Sequence, residues 1–358
     1  MSTAFRAADS AVPAVKAGSD NRIPLASGLP LLGSSLSLLA NPLQFMLRES
    51  RRLGPVFRVR AANRDMVILS GIEANRFMTE EGKDCFESAG FWGRLVDEWG
   101  CPHFISAMDG PEHLEERRAL KGSITRSVAD TQQAGLIDLV HQSVAQCATA
   151  DGELSVRELA RTLTNSELYF LLTGERLQLD KTLARALSEY QRITFNVLVL
   201  GKWPRVALYS PHYMISKCRS RASVRRLRRQ YHKAPPQQGF YKAVLEQHRA
   251  HPERRDSDLD FAFLAPFWAG HDTLGASFAF LIQEVVHNPQ LHHRVRAEVD
   301  HAVRDTGSDS IPPAEELRKL PDLFGLCMEI LRLYPVGFGN GRRAARDFMF
   351  AGHSIPKG

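Results

Sequence analysis

From Ser257 to Asn288 the chain reads SDLDFAFLAPFWAGHDTLGASFAFLIQEVVHN, with apolar residues spread round the helical wheel rather than along one stripe. That pattern predicts one long helix packed by protein on nearly every side. Upstream, IPLASGLPLLG (23–33) alternates Pro and Gly with Leu and predicts an extended arm. Asn41-Pro42 opens a helix that runs to Gly54, with arginines in its last turns. VFRVR and MVILS are short β-rich runs separated by a turn at Asn63 to Asp65, the pattern of a hairpin. From Asp130 to Gln247 the amphipathic helical period dominates, broken at Asp151-Gly152, Gly174, Trp203-Pro204 and Pro235-Pro236. Pro289 starts a further helix, DTGSDSIPPAEEL is a linker, and an apolar helix stops at Tyr334-Pro335. The expectation is a mainly α fold with a small β-sheet region.

The 358 residues are 44% hydrophobic, enough for one large domain or two intimate ones. Residues 1–22 lack the apolar run of a signal peptide and are expected to form a disordered leader. A net charge of +6 does not imply nucleic acid. The most apolar window contains His271, Asp272 and Thr273, which argues against a membrane span. Five cysteines without CxxC or finger spacing give no disulfide framework, so a reducing cytoplasm is the simplest compartment. The basic run from Lys217 to Lys233 suits a solvated helix face, with an anionic membrane or partner surface as the functional alternative.

Two oddities mark the long helix. An unpaired carboxylate in a core costs several kcal/mol, so a buried Asp272 requires a partner or a purpose. Gly270 gives up about 1 kcal/mol against alanine mid-helix, which makes sense where something lies flat against the backbone. Elsewhere, Asp109 or Gly110 can cap a helix with Pro111 in its first turn, on which His113 and Arg117 fall four apart on one face. They are either two donors for a pair of carboxylates or part of an ion-paired surface helix among Glu112, Glu115, Glu116 and Arg118. Glu329 and Arg332 stand one turn apart and can pair, though Glu-x-x-Arg recurs at Glu49, Glu73, Glu115, Glu158, Glu189, Glu246 and Glu315.

The block Ala269-Gly270-His271-Asp272-Thr273 resembles the central-helix signature of the cytochrome P450 family, the haem-thiolate monooxygenases. The Pro-rich arm with helix and hairpin, the His113/Arg117 helix, and the string Glu329, Arg332, Arg342, IPKG are similar to other parts of that family in the same order. The resemblance implies a P450-like fold over 23–358 and haem b as cofactor. It implies electrons from NAD(P)H through a ferredoxin-type or flavin-containing donor, and an apolar substrate into which one oxygen atom of O₂ is inserted. Asp272 and Thr273 take the catalytic proton-handling role, with Ala269 and Gly270 against the haem. His113, Arg117 and Arg342 (Arg343 as fallback) take the propionates, and Glu329–Arg332 the family's buried structural ion pair. Arg117, Arg118, Lys121 and Arg126 are the expected face for the donor. The family's proximal cysteine follows a Phe- and Gly-rich loop after the IPKG-like turn, beyond Gly358, and none of Cys85, Cys101, Cys147, Cys218 and Cys327 has that setting. The expectation is therefore a fold incomplete at its C-terminus, lacking the haem-ligand segment. The competing class is a non-catalytic remnant or helical binding module.

Overall fold

The computed structural model describes residues 22–61, 64–148, 155–176, 181–305 and 311–358, so the leader expected over 1–22 falls almost wholly outside the described residues. The chain divides into two units, Met1–Glu87 with Arg342–Gly358, and Ser88–Gly341.

In the first unit the Pro/Leu arm is extended, as its composition requires, and borrows backbone partners from the first strand: Ala26 N–H donates to Arg58 O and Arg58 N–H to Pro24 O, both at 2.8 Å. At Gly33 (φ +55°) a Cβ would stand 2.2 Å from Arg60 O, so the turn admits only glycine. Helices α1 (Ser35–Ala40) and α2 (Pro42–Leu53) follow. Asn41 accepts the Gln44 N–H at 3.0 Å, the expected cap. Strands β1 (Val56–Ala61) and β2 (Arg64–Leu69) form the expected antiparallel hairpin, and α3 (Ile72–Thr79) leaves it. β3 (Phe86–Glu87) pairs with β4 (Arg343–Ala344), and β5 (Phe348–Phe350) with β6 (His353–Ile355). The core is Ala26, Phe45, Phe57 and Val59. Beside it Glu49 is fully buried on α2, where Ser27, Arg48 and Arg52 all donate to its carboxylate, at 2.6–3.3 Å.

The second unit is helical: α4 (Ala89–Trp99), α5 (Gly110–Lys121), α6 (Arg126–Thr131), α7 (Gln133–Ala148), α8 (Val156–Thr173), α9 (Lys181–Thr194), α10 (Pro211–Lys233), α11 (Phe240–Ala250), α12 (Asp256–His287), α13 (Pro289–Asp305), α14 (Ala314–Leu317) and α15 (Pro321–Leu333). Asp109 precedes α5 but does not cap it with its side chain. Its carboxylate instead accepts the Ser88 and Ala89 N–H groups at 2.8–2.9 Å, at the N-terminus of α4. Among the described residues no helix is long and apolar enough to cross a membrane.

The long helix predicted over 257–288 is α12. Its first half is the hub of the core: Leu259, Phe261, Phe263, Leu264 and Trp268 are buried among Trp99, Tyr190, Tyr213 and Tyr241. The helix runs through Pro266, which removes one backbone donor and clashes with the preceding turn. Side chains from neighbouring helices donate to carbonyls on either side of it: Tyr241 OH to Phe263 O at 2.7 Å and Gln191 Nε2 to Trp268 O at 2.6 Å. The expectation of burial on nearly every side holds only for this half. From Ala276 onward no residue of the helix is buried, Leu274 is 52% exposed and Val286 66%.

Candidate functional site

The turn Ala269 to Thr273 is where α12 changes from buried core to exposed face. Ala269 and Thr273, one helical turn apart, are both exposed, and Thr273 Oγ1 donates to Ala269 O at 2.5 Å. That bond uses the hydroxyl's proton and leaves its lone pairs free to accept. Asp272 is not buried: its side chain is 46% exposed, and Arg161 of α8 donates to it at 2.6 Å. The desolvation cost that marked Asp272 in the sequence is thus met by partial exposure and by a cation from another helix.

The opening expected at Gly270 is filled. A Cβ there would lie 2.4 Å from Leu168 Cδ1, and one at Gly275 would lie 3.3 Å from Arg161 Cγ. These two glycines let α8 lie close along α12, and the same approach carries Arg161 to Asp272. Gly270 is therefore explained by helix packing, and the small exposed residue at this turn is Ala269. The side chain of His271 lies outside the described set.

On α5 His113 is half-buried and Arg117 exposed, and among the described residues neither side chain makes a hydrogen bond or ion pair. The glutamate between them turns inward: Glu116 is buried and takes Arg254 at 2.7 Å and Gln247 at 3.3 Å. The reading of this helix as an ion-paired surface does not describe His113 and Arg117, which remain as two donors one turn apart. Arg118 and Lys121 are also exposed, and the side chain of Arg126 lies outside the described residues.

Glu329 and Arg332 form the expected bidentate pair, at 2.8 and 2.5 Å, but they are 51% and 66% exposed, not buried. The Glu-x-x-Arg with a buried acid is Glu49–Arg52, where Glu49 is enclosed and Arg52 is 49% exposed, and the same spacing offered it without distinction. Arg342 is exposed in the first unit, and Arg343 lies 3.8 Å from Glu87, its partner across β3 and β4. Of the cysteines, Cys85 and Cys101 are buried, Cys218 is exposed and Cys327 half-buried on α15. Burial pushes the Cys101 thiol up to about 12 and raises that of Cys327.

Residues 23–358 match the family model for cytochrome P450, nearly the whole chain. The chain belongs to the cytochrome P450 family. Putative cytochrome P450 120 of Synechocystis is 24% identical over 343 residues, covering 92% of this chain and 72% of that protein. Ferruginol synthase of Salvia miltiorrhiza is 24% identical over 364 residues, covering 92% and 71%. The solved structure of retinoic acid bound cyanobacterial CYP120A1 superposes with a TM-score of 0.74 at 22% identity, over 94% of this chain and 75% of that one. The mainly helical fold with small strand pairs is thus that of a P450. A P450 uses haem, and the residues described above fit such a group in kind: two side-chain donors for carboxylates one turn apart on α5, and an exposed small residue one turn from a hydroxyl.

Arg161, Leu168 and Gln191 were missed by sequence reasoning. Arg161 closes a Glu-x-x-Arg at Glu158 that has no feature to set it apart from the other repeats, and the other two carry no motif at all.

Proposed function

We propose that this chain is the distal, oxygen-side part of a haem-dependent monooxygenase acting on an apolar organic substrate. The observation that carries the reading is the exposed turn of α12, where Ala269, Asp272 and Thr273 stand together and Arg161 anchors the acid. Haem, when bound, supplies the chemistry of O₂ activation, with electrons from NAD(P)H through a ferredoxin-type or flavin-containing donor. The roles of the chain's own residues follow from their chemistry. His113 and Arg117 would hold the haem carboxylates by hydrogen bonds. Ala269 keeps the helix surface low where a flat ligand rests. Thr273 accepts a proton at a free lone pair and passes its own on by turning from Ala269 O toward the ligand face. Asp272, partly exposed and held by Arg161, would take a proton from water and hand it on to that lone pair.

None of the four described cysteines is proposed as the proximal thiolate: Cys85 and Cys101 are buried, Cys327 has a raised thiol and Cys218 lies on α10. A cytoplasmic setting is consistent with these free thiols. The test is haem titration of the chain, then reduction and carbon monoxide. Uptake without the red-shifted Soret band of a thiolate complex is expected, and Ala substitution of His113 and Arg117 should weaken it. A thiolate-type band would mean that one of the five cysteines ligates iron, and would overturn the assignment.

A second reading, a non-catalytic helical module, is favoured by the exposed apolar face of α15, where Phe324, Met328 and Leu331 are each about half exposed. Absence of any haem uptake by a folded chain would favour it.

A further inference from the structure

Helix α5 carries the two side-chain donors read above as partners of the haem carboxylates, yet little in its own composition seats it. Among the described residues of this helix only Glu116 and Leu120 are buried, and Leu114 is half exposed. A single leucine holds a helix to its neighbours without fixing its rotation about its axis, because apolar burial has no direction. The other inward side chain is a charge, which proteins bury only with a partner. That partner is Arg254, whose Nη2 donates to Glu116 Oε2 at 2.7 Å, with the two side chains 10% and 9% exposed. Gln247 of α11 adds a donor to the same oxygen at 3.3 Å.

The position of Arg254 in the chain gives this contact its consequence. It stands in the short connection between α11 and α12, where its N–H donates to His251 O at 3.0 Å. The next N–H, that of Arg255, donates to Asp258 Oδ2 at 3.0 Å in the first turn of α12. Arg254 is thus tied to the start of the helix that carries Ala269, Asp272 and Thr273. At about 3.6 residues per turn, His113 lies roughly 60° and Arg117 roughly 100° round α5 from Glu116. The direction in which Glu116 is drawn therefore sets the direction of both donors. A buried ion pair is weak evidence for stability and is better suited to selecting one arrangement among several of similar energy.

We propose that Arg254 is a positioning residue: through Glu116 it fixes the rotation of α5 and so aims His113 and Arg117 at the haem carboxylates. This rests on the reading of those two residues as the carboxylate donors. Loss of the ion pair touches neither donor but lets the helix roll, so it should cost the interaction with the carboxylates and spare the binding of the macrocycle.

The ratio of two affinities tests this on the whole chain: that for iron protoporphyrin IX and that for its dimethyl ester, which keeps the macrocycle and lacks the carboxylate charges. The native chain should prefer the free acid about tenfold or more, as hydrogen bonds to charged groups allow. Arg254→Met should bring the ratio close to one while the ester binds as before. Arg254→Lys should keep most of the preference, because a single nitrogen makes the contact with Glu116. In a His113→Ala/Arg117→Ala background, Arg254→Met should change the ratio no further. If Arg254→Met unfolds the chain by leaving Glu116 unpaired, Glu116→Met/Arg254→Met decides, since apolar side chains of similar volume can replace a buried pair without loss of the fold. It too should abolish the preference. An unchanged ratio in either variant, or an equal loss of affinity for acid and ester, would overturn the proposal. No preference for the acid in the native chain, or no uptake of either porphyrin, would overturn the reading of His113 and Arg117 and this proposal with it, so the two failures are told apart.

Discussion

Arg161 donates to Asp272 at 2.6 Å, from a helix a hundred residues earlier in the chain. Both side chains are partly exposed, so the pair adds little to stability, under about 1 kcal/mol. Its expected value lies in orientation. In the haem-loaded protein, Arg161→Gln should lower product formed per NAD(P)H while urea unfolding shifts hardly at all. A large stability loss with unchanged coupling would make the pair purely structural.

Thr273→Ala should be neutral for folding, since the side chain is exposed and its one bond is a local one to Ala269 O. The same substitution should uncouple NAD(P)H use from product. Unchanged product per NAD(P)H would remove the hydroxyl from proton handling.

Gly270→Ala drives a Cβ to within 2.4 Å of Leu168. Overpacking of that kind costs about 1–3 kcal/mol. In a Leu168→Ala background the cost should fall sharply. Equal costs in the two backgrounds, by denaturant midpoint, would locate the strain elsewhere.

Burial acts to raise the Glu49 carboxyl, but hydrogen bonds from Arg52, Ser27 and Arg48 outweigh it and hold the group at about 2 against an ordinary 4.5. A depressed folded value means the stabilisation is whole above about 4.5 and is lost as pH falls through about 2. Glu49→Gln should flatten the acid limb of the stability profile and cost about 1–3 kcal/mol at neutral pH, because the enclosed side chain loses charge-assisted hydrogen bonds from Ser27 and from the half-exposed Arg48 and Arg52. An unchanged acid limb would exclude Glu49 as its source.

Thiol reagents should modify Cys218 at once in the native protein, whereas Cys101, fully buried with its thiol pushed up to about 12, should react only on unfolding. Prompt labelling of Cys101 would show that the core around Trp99 and Tyr190 opens.

The order and kind of the elements were legible in the chain because they depend on local chemistry. The Asn41-Pro42 cap, the hairpin strands and the length of α12 rest on periodicity and on what Pro, Gly and Asn do to their own backbone. The family signature at 269–273 was legible for the same reason, as five consecutive residues. What could not be read was which partner each polar group would find. Glu-x-x-Arg at Glu49 and at Glu329 are alike as text, yet one is enclosed by the arm and its own helix and the other faces outward. Gly270 reads as space for a ligand, but Leu168 fills it; Asp272 reads as buried, but its side chain is 46% exposed and Arg161 stands beside it. Sequence alone therefore determined the helices, the hairpin and the residue types available for chemistry. Tertiary structure decided burial and pairing, because those depend on residues that are distant along the chain and become neighbours only when α8 lies down on α12.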